Sequence, residues 1–182
     1  AAGNFVINKA TPTATLAVNN SPQTYDGTAK AATVAIPASS VPGAVANILT
    51  GGSASKTNAG TYAVTADFVP TDAANYNSLL AQAAGNFVIN KATPTATLAV
   101  NNSPQTYDGT AKAATVVISA SSVPGAVANI LTGGTATKTA AGTYAVSADF
   151  LPTDTANYNS LLAVAAGNFV INKATPTATL AV

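Results

Sequence analysis

The chain has 182 residues, of which 48% are hydrophobic and 7% are charged, so it is able to bury a sizeable core. It contains no histidine and no cysteine, which argues against an imidazole base, a thiolate nucleophile and the usual zinc or copper ligands. The absence of these side chains predicts no enzyme and no metal or other cofactor. Seven basic and six acidic residues give a net charge of +1 without a basic run, so we also predict no nucleic-acid partner.

The first predicted elements are short strands. Residues 13–18 alternate β-branched and small side chains, which is typical of a strand. Residues 23–30 contain Asp26-Gly27, a strong signal for a two-residue hairpin turn because both residues tolerate positive φ. Residues 30–36 continue the hairpin, and a loop rich in Ser, Pro and Gly follows over residues 37–43.

The clearest strand lies in the second half of this region. Residues 45–50 and 53–57 flank Gly51-Gly52 and predict a second tight hairpin. Residues 60–69 then alternate large apolar side chains with small or polar ones. A period of two indicates a strand with one buried and one solvated face.

The last predicted strand covers residues 86–90. Residues 72–84 are rich in Ala and Leu and compatible with a helix, but we interpret them as a loop or short turn. About seven short strands separated by turns favour an all-β fold, with β-sandwich modules rather than a βαβ arrangement.

All these elements recur 82 residues later. The string AAGNFVINKATPTATLAV begins at Ala1, Ala83 and Ala165. We place the boundaries so that residues 9–90 and 91–172 are complete repeats, which differ at nine positions. Residues 1–8 are then the last strand of a preceding repeat, and residues 173–182 the first strand of a following one.

Four sequence elements carry a family resemblance. They are TYDGT at 24–28, AGTYAV at 59–64, NYN at 75–77 and FVINKA at 87–92, and each recurs in the second repeat. Together they resemble the bacterial immunoglobulin-like surface repeats of the YDG/MBG type. The resemblance implies two tandem immunoglobulin-like β-sandwich modules, an extracellular location and a structural rather than catalytic role.

The immunoglobulin pattern makes a prediction about the core. In that fold a Tyr lies two residues before the second core Cys, and Tyr62 stands in this position before Val64. By this analogy Val64 and Val146 replace the cysteine, and apolar packing replaces the disulfide. A β-grasp-like module is the alternative fold.

Few residues are candidates for a site. We expect Tyr25 to pack across strands rather than to stack on a glycan, and Tyr76 to anchor its loop. Asp72, Asn75 and Asn77 together offer a single carboxylate, so turn capping is favoured over calcium binding.

A Lys–Asn isopeptide bond requires a lysine and an asparagine beside a buried carboxyl group. Lys30, Lys56, Asp26 and Asp67 are the internal candidates for the lysine and the carboxyl group. Since we expect Asp67 to point outward, and a buried charge is costly, we do not favour this crosslink.

These observations predict a stalk or spacer in a bacterial cell-surface or secreted adhesin-like protein, which projects a distal functional domain. The alternative is an adhesive module that recognises a glycan or host protein through its loops. The short, proline-containing junction at residues 90–94 predicts an elongated arrangement, with neighbouring repeats as partners. The terminal strands predict head-to-tail self-association, and the apolar runs are too short for membrane insertion.

Overall fold

In a computed structural model that describes residues 3–180, the chain divides into two compact units, Ala1–Ala92 and Thr93–Val182. Unit 1 contains β1 (Ala14–Val18), β2 (Gln23–Thr24), β3 (Val34–Ser39), β4 (Gly43–Thr50), β5 (Gly60–Pro70) and β6 (Leu79–Asn90). Unit 2 contains β7 (Ala96–Val100), β8 (Gln105–Thr106), β9 (Val116–Ser121), β10 (Gly125–Thr132), β11 (Gly142–Pro152) and β12 (Leu161–Asn172). No helix occurs in the described residues.

Each unit is a sandwich of two sheets. In unit 1 a four-stranded sheet has the order β2-β6-β5-β4, and β1 pairs with β3 in a second sheet. Leu16 of β1 is buried together with Val64 and Ala66 of β5 and with Phe87 and Ile89 of β6. The predicted all-β, immunoglobulin-like β-sandwich is confirmed, and no helix lies across a sheet of the described residues as a β-grasp module requires.

Strand β5 follows the predicted alternation. Val64, Ala66 and Phe68 are buried, whereas Thr61 and Ala63 on the opposite face are exposed. Because β5 pairs with β4 on one side and β6 on the other, its inward face lies in the middle of the core. The strand that was clearest in the sequence is therefore the central strand of the unit.

The hairpin predicted at Asp26-Gly27 is wrong. The Asp26 carboxylate accepts hydrogen bonds from the amide (2.9 Å) and hydroxyl (2.6 Å) of Thr28, so side-chain bonds close this turn. Strand β2 ends at Thr24 and pairs in parallel with the distant β6. Lys30 forms only an isolated bridge, to Lys56.

Two further boundaries differ from the prediction. Strand β3 extends through Pro37 to Ser39, so the predicted loop at 37–43 is reduced to residues 40–42. The Gly51-Gly52 turn is present, with positive φ at both residues and a bridge from Thr50 to Ser53. The predicted strand at 53–57 is reduced to isolated bridges, and β4 pairs instead with β5.

Strand β6 is much longer than predicted. It has 12 residues and begins at Leu79, within the segment interpreted as a loop or turn. Its ladder with β5 contains two irregularities, and Ala81 and Gly85 have positive φ there. These β-bulges hide the strand period from the sequence.

Neither terminal stretch contains a strand within its described residues, 3–8 and 173–180. Residues 3–8 have no strand assignment, and Phe5, Val6 and Ile7 are between 71% and 90% exposed. The predicted terminal strands at 1–8 and 173–182 fall partly outside the described residues, since residues 1, 2, 181 and 182 are not described. The boundary at Lys91 stays a prediction.

Candidate interaction sites

The loop from Thr71 to Ser78 is built around Asp72. The Asp72 carboxylate accepts hydrogen bonds from the backbone amide (3.2 Å) and side-chain amide (2.9 Å) of Asn75. Both bonds lower the pKa of Asp72, and the bond from the Asn75 side chain has the larger effect. The carboxylate thus caps a turn, as the sequence favoured, and no group of three His, Cys, Asp or Glu side chains that could hold a metal ion occurs among the described residues.

The same loop holds the start of the unit. The Ala10 amide donates to the Asn75 carbonyl (2.9 Å), and the Asn77 amide donates to the Ala10 carbonyl (2.9 Å). The ammonium group of Lys9 donates to the Ala73 carbonyl at 2.7 Å. Tyr76 is half-buried within this loop, and its amide bonds to the Asp72 carbonyl. Loop 71–78 therefore anchors the entering chain.

The isopeptide candidates have other partners. The Lys30 ammonium lies 2.8 Å from the Asp26 carboxylate. This hydrogen bond is the main cause of the lowered pKa of Asp26. Lys56 lies over the ring of Tyr62, with 5.5 Å between its nitrogen and the ring centroid. Asp67 bonds to neither lysine. This arrangement is a set of ion-pair and cation–π contacts.

Asp67 joins the two neighbours of the central strand. Its carboxylate accepts hydrogen bonds from the Asn47 side chain (2.6 Å) and from the Ala81 amide (2.7 Å). Both bonds lower the pKa of Asp67, and the bond from Asn47 has the larger effect. Asn47 and Ala81 both have φ near 50° and sit at irregularities of β4 and β6. Asp149 repeats the arrangement in unit 2. Sequence reasoning placed Asp67 on the outer face but missed this clip, which depends on two bulges.

The predicted tyrosine and valine are in place. Val64 is 1% exposed and belongs to the core of unit 1, and Val146 is 2% exposed in unit 2. The hydroxyl of Tyr62 donates to the Asn58 carbonyl at 2.8 Å, as in the tyrosine corner of immunoglobulin folds. The predicted place of these two valines in an apolar core is confirmed.

Tyr25 and Tyr107 occupy equivalent positions but differ in exposure. Tyr25 packs against the core of unit 1, whereas the hairpin across whose strands it was predicted to pack is absent. Tyr107 is 42% exposed and lines an open, mainly apolar depression of about 440 Å³ with Ala141, Lys173 and Pro176. The depression is a candidate ligand site within unit 2.

A further groove occurs once in each unit, at equivalent positions. Thr13, Thr15, Ser39 and Ser40 line one of about 320 Å³ between β1 and β3, and the equivalent residues of unit 2 line one of about 280 Å³. The hydroxyl of Ser40 accepts from the Thr13 amide at 2.9 Å, which fixes the groove's edge. Within residues 3–180 there is no helix long and apolar enough to cross a membrane.

Comparison with known proteins identifies the repeat. The model of the MBG domain matches twice, at residues 14–93 and 96–175. Structural comparison matches the fibronectin(III)-like modules of Clostridium thermocellum CbhA at 13% identity, covering 87% of this chain and 94% of that chain, with a TM-score of 0.33. No curated protein matches the chain. The resemblance inferred from the sequence is confirmed, and the chain belongs to the MBG domain family, of which it contains two tandem copies.

Proposed function

We propose that these domains are part of a structural stalk in a bacterial cell-surface or secreted adhesin-like protein, where they hold a distal functional domain away from the cell. The path of the chain through a unit carries the proposal. The chain enters beside loop 71–78, where Ala10 is bonded, and leaves at Asn90, at the other end of β6. A 12-residue strand spans roughly 40 Å at ~3.3 Å per residue, so each unit adds reach.

The chemistry of the charged side chains supports a role without catalysis. Asp26 pairs with Lys30, Asp67 binds Asn47 and the Ala81 amide, and Asp72 binds Asn75. Each carboxylate has a structural partner, and in each case its pKa is lowered rather than raised. A general acid at neutral pH needs the opposite shift.

The stalk is tested by varying its length. One, two and four copies of the 82-residue repeat are displayed from a bacterial surface anchor with an epitope at the free end, and the height of the epitope is measured. We expect the height to grow linearly with repeat number, whereas a Gly/Ser chain of equal residue number grows as about the square root of its length. A height that follows the Gly/Ser control contradicts the proposal. Small-angle scattering of the two-repeat chain tests the predicted elongated arrangement.

The exposed N-terminal segment supports self-association as a further partner proposal. The string GNFVIN lies in β6, where Phe87 and Ile89 are buried, and recurs at residues 3–8, where Phe5 and Ile7 are 90% and 82% exposed. Burying each such side chain contributes about 1.5–3 kcal/mol. Sedimentation should therefore detect concentration-dependent association that is lost when residues 1–8 are deleted. Equal behaviour of both proteins would exclude this segment as the contact.

A second candidate function is ligand recognition, and the exposed ring of Tyr107 favours it. Amphipathic aromatic rings supply contact area for glycans at low entropic cost. We expect a glycan ligand, if this is the function, to be lost in Tyr107→Ala and retained in Tyr25→Ala, because Tyr25 is packed against its core. A glycan array without hits for the wild-type chain favours the stalk.

A further inference from the structure

The second strand of each unit runs alongside its last strand in the same direction. Strand β2 pairs in parallel with the end of β6, with Gln23 opposite Ile89 and Thr24 opposite Asn90. The Tyr25 amide donates to the Asn90 carbonyl at 2.9 Å. At the other end of the unit, Ala10 forms a parallel bridge with Tyr76, just before β6.

A side-chain bond strengthens the parallel contact. The Val88 amide donates to the Ser21 hydroxyl at 2.9 Å, immediately before the ladder of β2 and β6 begins. Phe87 and Ile89, on the same stretch of β6, are 0% and 2% exposed, so the core lies directly beneath this contact. Hydrogen bonds that are shielded from water are harder to exchange for bonds to solvent.

This arrangement decides how a unit responds to tension. A pull on the two ends of unit 1 draws Ala10 away from loop 71–78 and draws Asn90 in the opposite direction. The bonds between β2 and β6 lie across the strands, so this pull shears them, and they must yield together. Strands pulled apart from a shared end instead lose their bonds one after another.

We propose that the contact formed by Ser21–Tyr25 with Val88–Asn90 is a force-bearing clamp, which makes each unit resistant to axial tension. Ser103, Gln105 and Tyr107 form the same bonds with the end of β12 in unit 2. The inference rests on the proposed stalk only for the source of the load, since a stalk between a surface and an adhesive tip is stretched along its length.

Single-molecule stretching of the full chain, held at its two ends, tests the clamp. Tyr25→Pro removes the amide that bonds to Asn90, and Tyr25→Ala removes the side chain but keeps that amide. We expect two unfolding peaks of similar height in the wild type. In Tyr25→Pro the unfolding force of unit 1 falls well below that of unit 2, and in Tyr25→Ala it falls less. Tyr107→Pro should produce the same pattern through unit 2.

The direction of pulling supplies a test that leaves the clamp unmutated. The chain has no cysteine, so Ala29→Cys, in the exposed segment after β2, gives a unique attachment point. Pulling between residue 29 and the C-terminus loads β2 and β6 of unit 1 from their shared end, whereas unit 2 is still sheared. We expect the unit 1 peak to fall or disappear while the unit 2 peak is unchanged.

The two experiments have clear opposite outcomes. Forced unfolding follows the barrier along the pulling direction rather than equilibrium stability alone. Equal unit 1 forces in both pulling directions overturn the clamp, whether or not Tyr25→Pro folds. Equal forces for Tyr25→Pro and Tyr25→Ala, in a folded protein, also overturn it. Neither result affects the measurement of epitope height, so the stalk and the clamp fail separately.

Discussion

The two units have different sequences at nine positions, and none of these positions is buried in either unit. The buried hydrophobic residues are the same in both, from Leu16 and Leu98 to Ile89 and Ile171. Substitutions have therefore occurred only where a side chain has room to change. The core and the bulges define this domain, whereas its surface tolerates exchange.

The differences at Gln82/Val164 and Pro37/Ser119 affect packing and a strand. Gln82 and Val164 face the border of the core, and Val164 packs against it. Pro37 lies in β3, where Ser119 lies in β9. The ladder of unit 2 includes the pair Leu98 and Ile118, which has no counterpart in the ladder of unit 1. Proline lacks an amide donor and is tolerated because the outer edge of this two-stranded sheet is unpaired in the described residues.

The largest expected effect comes from the shared core. Phe87 and Phe169 are each 0% exposed. We expect Phe87→Ala to destabilise unit 1 and Phe169→Ala to destabilise unit 2, each by about 3–5 kcal/mol, because each leaves a cavity. Denaturant unfolding followed by circular dichroism should show the altered unit unfolding first. Clearly unequal losses would contradict the equivalence of the two cores.

A smaller effect is expected where a strand approaches an aromatic ring. A Cβ added to Gly43 would lie 2.5 Å from the Phe68 ring, and one added to Gly125 would lie 2.6 Å from the Phe150 ring. We expect Gly43→Ala and Gly125→Ala to cost about 1–3 kcal/mol each through overpacking. Gly3→Ala is the control, since nothing lies within 4 Å of its added Cβ. Unchanged unfolding of both variants would mean that the ring and the nearby carbonyl of Val69 or Leu151 move aside freely.

The difference between Gln82 and Val164 should affect the stability of the two units in opposite directions. Gln82 lies opposite Ala66, and its side-chain amide donates a hydrogen bond to the Leu80 carbonyl. Val164 instead packs against the apolar core. We expect Gln82→Val to stabilise unit 1 by about 1 kcal/mol and Val164→Gln to destabilise unit 2 by about as much. Effects of the same sign in thermal unfolding would show that this border position is not equivalent in the two units.

The smallest effect is electrostatic and is expected in both units. The Asn47 side chain and the Ala81 amide hold the pKa of Asp67 below its usual value of 3.8. A lowered folded-state pKa contributes stability that is complete above the unfolded value and is lost as the pH falls through the folded one. Stability should therefore decrease below about pH 4.

Asp67→Asn isolates this contribution. In that variant unit 1 should lose less stability than unit 2 between pH 5 and pH 2, because Asp149 still titrates in unit 2. Acid titration followed by circular dichroism measures the difference. Identical pH profiles for the two units would assign the acid sensitivity to other carboxylates, such as Asp26 and Asp108.

The sequence predicts the parts of the fold that depend on local patterns. The alternation in β5, the burial of Val64 and the Gly51-Gly52 turn follow from residue type and spacing. The Asp26-Gly27 hairpin was wrong because its turn is closed by Thr28, and because β2 finds its partner 66 residues away in β6. Local turn signals contain no information about such distant pairing.

The long strand β6 and the Asp67 clip were not predictable for a related reason. Ala81 adopts a left-handed φ that its residue type does not favour, and it is held there by a carboxylate from β5. The bulge breaks the alternation of residues 79–84, which then reads as an Ala- and Leu-rich segment. Tertiary contacts, rather than local propensity, decide this strand.

The position of β6 also has a consequence for biosynthesis. Strand β6 is the last strand of unit 1 to leave the ribosome, yet it lies between β2 and β5 and supplies Phe87 and Ile89 to the core. A nascent unit cannot close until Asn90 has emerged, so we expect folding to advance in steps of one whole repeat. Before each step the sheet lacks the strand segment GNFVIN, whose sequence is identical in every copy.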